Sequence, residues 1–136
     1  MAVKFEFGHV GINAQSPEEG EKMKNFFTEV MGYQNYREIP ASYFTEDNKM
    51  ELMKKMGKGS MGLLGFFVDD MPEAIRYLEG LGYAMDYEHA RYDEDGKTIK
   101  LIFLQDEING FRIHITVKKA PFYVENHAEA LPVVSK

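Results

Sequence analysis

An arginine and a histidine stand two positions apart in Phe111-Arg112-Ile113-His114-Ile115-Thr116-Val117. Side chains alternate faces along a strand. One face carries Phe111, Ile113, Ile115 and Val117, an apolar row suited to lie under a helix. The other carries Arg112, His114 and Thr116. An imidazole beside a guanidinium on the wall of a cleft suits a small anion. Arginine's planar fork grips a carboxylate or phosphate at two points. We expect Arg112 to hold an acidic group of a ligand. The competing expectation is that Arg112 pairs with an acidic neighbour such as Glu51. A second imidazole, His9, lies in Phe5-Glu6-Phe7-Gly8-His9-Val10-Gly11-Ile12, where strict alternation puts it on one face with Phe5 and Phe7.

Other reactive side chains are less distinctive. Asp106 or Glu107 could act as a general base if an apolar cleft raised its pKa. Both precede the turn pair Asn109-Gly110, a setting that suits solvated charges as well. His89 and His127 have no partner motif and read as surface residues. Tyr36, Tyr43, Tyr87 and Tyr92 are candidates to line a cleft, with ring bodies buried and hydroxyls bonded. There is no Gly-rich phosphate loop, nucleophile elbow or run of Lys and Arg.

Composition narrows the classes further. The chain has 136 residues, 44% hydrophobic, 13% aromatic and 28% charged. That length reads as one domain with a real core, not a disordered segment. A net charge of −6 disfavours duplex binding, which wants a basic stripe to displace phosphate counterions. With no cysteine, disulfide scaffolds, thiolate metal sites and cysteine nucleophiles are excluded. The longest apolar run, Leu63 to Val68 broken by Gly65, is far too short to span a bilayer. Met1 to Glu6 lacks a basic region followed by an apolar stretch, so a cytoplasmic protein without membrane partners is expected.

The elements that must position these residues come in two matching sets. The extended stretch Phe5 to Asn13 runs into Ser16-Pro17-Glu18-Glu19. Ser16 can cap a helix, Pro17 suits its first turn and Glu19 completes a capping box. Met23, Phe26, Phe27, Val30 and Met31 then fall on one helical face, and Gly32 stops it. In the second set, the strand Met61 to Val68 precedes Asp70-Met71-Pro72-Glu73. Ile75, Leu78 and Leu81 form the stripe, and Gly80 and Gly82 end it. Gly32-Tyr33 and Glu38 recur as Gly82-Tyr83 and Glu88, each fifty positions on. Three extended segments follow each helix. In the first half they are Tyr36 to Ile39, Ser42 to Thr45 and Lys49 to Lys54, with Glu46-Asp47-Asn48 as a turn. In the second half they are Ala84 to Tyr92, Thr98 to Gln105 and Phe111 to Val117. Asp95-Gly96 makes a hairpin turn there. Each half reads strand, helix, three strands. The modules are residues 4–57 and 58–119 of a single 1–119 domain, and the tail 120–136 lies outside the repeat.

Such a duplicated unit resembles the vicinal oxygen chelate superfamily, the glyoxalase and bleomycin-resistance fold. Phe7-Gly8-His9-Val10-Gly11-Ile12-Asn13 is similar to the opening strand of one branch. Asp106-Glu107-Ile108-Asn109-Gly110-Phe111, followed by His114, is similar to its close. That branch stands alone or follows a 2-keto-3-deoxy-phosphogluconate-type aldolase domain. The resemblance implies an α+β fold, two βαβββ modules forming a half-barrel sheet cleft with helices outside. It also implies a divalent metal ion (Zn, Fe, Mn, Co or Ni) held by one ligand from each of four strands. His9, Glu51 and His114 fall at three of these places. The fourth falls on Leu63, which stands seven positions before the cap Asp70 as His9 stands before Ser16. Two imidazoles and a carboxylate leave positions open for water or substrate, as catalytic metals require. The resemblance thus implies a metal-dependent lyase or isomerase for a small oxygenated, acidic metabolite. The alternative is a non-catalytic, drug-sequestering or ligand-sensing protein of the same fold. It further implies a homodimer that takes a small-molecule ligand.

Overall fold

The computed structural model describes residues 3–45, 49–57 and 59–117. The expected tail with His127, the Glu46-Asp47-Asn48 turn and the side chain of Tyr36 lie outside the described residues. The first half runs β1 (Glu6–Ile12), α1 (Pro17–Asn25), a π-helical turn (Phe26–Val30), β2 (Asn35–Glu38), β3 (Ser42–Thr45) and β4 (Met50–Met53). The second runs β5 (Gly62–Val68), α2 (Met71–Gly80), β6 (Met85–Tyr92), β7 (Ile99–Leu104) and β8 (Phe111–Val117). Each half is strand, helix, three strands, as the repeat implies.

The helices begin where the caps predict. The Glu19 backbone N–H donates to Ser16 Oγ at 3.1 Å, and that of Glu73 to Asp70 Oδ1 at 3.0 Å. A cap of this kind contributes about 0.5–2 kcal/mol. Gly32 and Gly82, at φ 85° and 98°, turn the chain after each helical segment in the left-handed conformation.

All eight strands join one mixed sheet in the order β2-β3-β4-β1-β5-β8-β7-β6. With β5 to β8 matched to β1 to β4, that order reads the same from either edge. The approximate twofold passes between β1 and β5, which pair antiparallel. β4 runs parallel to β1, and β8 parallel to β5. The edges β2 and β6 do not meet, so the sheet stays an open half-barrel.

The outer face of the second half is the apolar row expected of β8. Met71, Ala74 and Ile75 of α2 pack on Val68, Met85, Ile102, Leu104 and Ile115. Leu81, expected in that stripe, lies past the helix end and is exposed. The first helix departs further from its stripe. From Phe26 it loosens into a π turn, in which the Met31 N–H reaches the Phe26 carbonyl at 2.9 Å. The wider turn breaks the 3.6-residue period, so Phe26, Val30 and Met31 face outward. Among the described residues, no helix is long and apolar enough to cross a membrane.

Candidate metal centre

Directly paired strand residues share a face, so the register fixes what lines the inner side. His9 pairs with Gly65, and Gly65 with His114. Gly11 pairs with both Glu51 and Leu63. Glu51 pairs with Phe44, and His114 with Phe103. His9, Glu51, Leu63, Gly65 and His114 therefore lie on one face, on the four central strands.

His9 reaches that face by a local irregularity. Phe7 pairs with Phe66 and His9 with Gly65, so Gly8 is an extra residue in β1. Such a bulge reverses alternation and re-aims the next side chain. Phe7 consequently points outward with Phe66, the two rings 6.0 Å apart, and does not share His9's face as strict alternation predicts.

His9 stands between Glu51 and His114 and lies close to each. His9 Nε2 lies 3.3 Å from Glu51 Oε1. The His9 and His114 rings are 5.3 Å apart between centroids. A Cβ built on Gly65 would lie 2.6 Å from His114 Nε2 and 2.7 Å from His9 Cε1, so both rings close over that bare backbone. Supporting contacts aim the donors. Ser42 Oγ donates to Glu51 Oε2 at 2.8 Å, and Thr116 Oγ1 lies 3.3 Å from His114 Nδ1. The site is deeply shielded, with His9 0%, His114 2% and Glu51 8% exposed. Burial first, and the charge of His9 second, push the His114 pKa well below its ordinary value. A neutral imidazole is the form that ligates a metal.

These donors suit Zn, Fe, Mn, Co or Ni in kind. Among the described residues, no three His, Asp or Glu side chains stand in an arrangement that would hold a metal ion as they are placed. Leu63 fills the fourth place. It packs with Met53, Leu101 and Phe103, and reaches over Gly11, where a Cβ would lie 2.8 Å from Leu63 Cγ.

Arg112 lies on the same face, with its guanidinium 4.7 Å from the Phe103 ring centroid. Its acidic neighbour is Asp86, at 3.2 Å, and not Glu51, which His9 and Ser42 engage. Asp86 also accepts from the exposed His89, whose Nδ1 lies 3.0 Å from Oδ2. Burial alone would raise the Asp86 pKa. Hydrogen bonds from the His89 side chain and backbone, the charge of His89 and the Arg112 bond outweigh it and lower the value. Across the sheet, Arg37 is 3% exposed and stacks on Phe44 at 4.1 Å.

Several expected residues stand elsewhere. Asp106 and Glu107 are exposed, and Glu107 accepts from Ser60 Oγ at 2.8 Å. Tyr43 lies on the outer face beside Lys24 and Lys54. Tyr87 is exposed and donates to Glu79 at 2.6 Å, chiefly through which its pKa rises to about 12. Sequence reasoning missed Ser42, Asp86 and Gly65. Only Gly65 left a clear signal, a lone glycine inside a strand pattern, which often marks a close approach.

No family model matches the chain, and no curated protein matches it. Solved structures do. Homoprotocatechuate 2,3-dioxygenase from Brevibacterium fuscum, in complex with 3,4-dihydroxyphenylacetate, superposes with TM-score 0.62 at 16% identity. The match covers 87% of this chain and 38% of that one. The chain has the vicinal oxygen chelate fold. Two matches of similar length carry the same fold. The hypothetical protein BH1468 from Bacillus halodurans C-125 gives TM-score 0.57 at 18% identity, over 88% of this chain and 96% of that one. Methylmalonyl-CoA epimerase from Mycobacterium tuberculosis gives 0.57 at 16%, over 88% and 91%. The likeness extends to less than two fifths of the dioxygenase and to nearly the whole of the other two.

Proposed function

We propose that the protein is a metal-dependent lyase or isomerase of the glyoxalase type, acting on a small oxygenated acid. The observation that carries this reading is the meeting of His9, Glu51 and His114 on one shielded face, from strands far apart in sequence. The epimerase match, which spans most of both chains, supports an isomerase more than the dioxygenases do.

His9, Glu51 and His114 would hold the ion. When bound, it would supply Lewis-acid polarisation of two neighbouring substrate oxygens. The remaining tasks fall to this chain's side chains. Phe44, Phe103 and Leu63 exclude water from the donors. Arg112, turned from Asp86, would receive the acidic group of the substrate, and Asp86 with His89 would hold the guanidinium ready between encounters.

A second reading is a binding module without chemistry. The apolar side chain of Leu63 at the fourth place and the shielding of the donors favour it. Proton exchange separates the two. A panel of small 2-oxo and 2-hydroxy acids would be incubated in D2O with zinc-loaded protein, EDTA-treated protein and His9→Ala. Zinc-dependent deuterium incorporation that His9→Ala abolishes supports the enzyme. Binding without incorporation identifies the sequestering module.

A further inference from the structure

We infer that Gly65 is the positioning residue of the centre, and that its missing side chain is what allows two imidazoles from different strands to reach one point. This rests on the metal reading above and extends it to a residue that donates nothing.

The geometry is specific. Gly65 lies in β5 between its partners His9 in β1 and His114 in β8. Both rings lean over β5 from either side, and the space a methyl would need is within 2.6 Å of Cε1 and Nε2 of His114 and 2.7 Å of Cε1 of His9. No Cβ tolerates contacts so short, so rings and methyl exclude each other. Gly65 needs no left-handed backbone, since it is absent from the positive-φ glycines. Its role is therefore steric and local. Gly62 in the same strand differs. It has φ 147°, and a Cβ there would run into the Gly11 carbonyl oxygen, so its smallness serves the sheet itself. At Gly65 the colliding atoms are ring ends, which can swing aside while the strands keep their register.

The twofold sharpens the point. Gly11 is the mate of Gly65, equally bare and paired with Glu51 as Gly65 is with His114. Over Gly11 lie Leu63 and Met53; over Gly65 lie His9 and His114. The same backbone gap is filled with hydrocarbon on one side and with nitrogen donors on the other. Both imidazoles of the centre stand over the Gly65 side.

The test uses the full chain and Gly65→Ala, with Zn2+ titrated calorimetrically and the visible spectrum of added Co2+ recorded. Zn2+ affinity should fall about 10–100-fold, as for loss of other supports around a metal, and the Co2+ spectrum should change, while far-UV circular dichroism stays the same. Unchanged affinity and spectrum overturn the inference. If wild type binds neither ion, the metal reading fails, and Gly65 is judged on a crystal structure of Gly65→Ala. Rings further apart than 5.3 Å support its role; rings in place overturn it. If Gly65→Ala does not fold, His9→Ala and His114→Ala are added together to remove both collisions. Recovered folding supports the inference, and no recovery overturns it.

Discussion

His9 and His114 belong to opposite ends of the described chain, yet their rings face each other across a single strand, 5.3 Å apart. The sheet order explains this. β1 and β8 are both neighbours of β5, one antiparallel and one parallel. Burying two imidazoles side by side has an electrostatic consequence, because a proton on one opposes a proton on the other.

That consequence is measurable in the stability. The His114 pKa is depressed in the fold, by burial above all. The unfolded chain takes up a proton as pH falls below about 6.5, and the folded chain does not. The stability from keeping His114 neutral is thus complete above that pH and is lost as pH drops below it. The loss reaches about 1.4 kcal/mol per pH unit for one group. Urea unfolding in EDTA at pH 7.5, 6.5 and 5.5 should show this slope, and His114→Leu should reduce it. An equal slope in both proteins contradicts the assignment.

The twofold also predicts what Leu63 replaces. His9 reaches over Gly65 beside His114, and Leu63 reaches over Gly11, whose β4 partner is Glu51. An imidazole at position 63 would therefore complete a four-donor set. Leu63→His should bind Zn2+ on the order of tenfold more tightly than wild type. Without zinc it should melt at a lower temperature, having lost apolar contact with Met53, Leu101 and Phe103. Calorimetric titration and thermal unfolding, with and without Zn2+, measure both effects. Zn2+ affinity equal to wild type would place position 63 outside the centre.

Much of this arrangement was legible in the sequence. The caps Ser16 and Asp70, the glycine stops and the recurring Gly-Tyr phrase carry local physics, and the strand, helix, three-strand order follows from them. The apolar row of β8 followed from alternation for the same reason. Strict alternation puts His9 among the wrong neighbours, because nothing local announces the extra residue at Gly8. The first helix reads as one stripe, since a π turn costs no change in composition. Asp86 and Ser42 were invisible because their importance lies in register across strands. Alternation alone picks out His114 beside Arg112, whereas Glu51, and the ligand roles of His9, Glu51 and His114, follow from the resemblance; without it Glu51 is one polar residue among many.

Arg112 separates ligands by charge. Its fork meets Asp86 at one edge only, and its Nε is buried without a hydrogen-bond partner. Arg112→Ala should weaken binding of an acidic ligand about 10–100-fold, the worth of a charge-assisted pair. A neutral analogue of the same shape should bind as before. Equilibrium dialysis with a carboxylic acid and its amide makes the comparison, and equal losses on both would remove Arg112 from ligand recognition.

The account turns on whether two imidazoles and one carboxylate grip a common ion. The direct measurement is elemental analysis of untagged protein, joined to anomalous diffraction from its crystals. One metal per chain is expected, with a single anomalous peak bounded by His9 Nε2, Glu51 and His114 Nε2, absent in His9→Ala and in His114→Ala. Metal-free protein that stays so after incubation with Zn2+, Fe2+, Mn2+, Co2+ and Ni2+, or a peak at any other side chains, would contradict it.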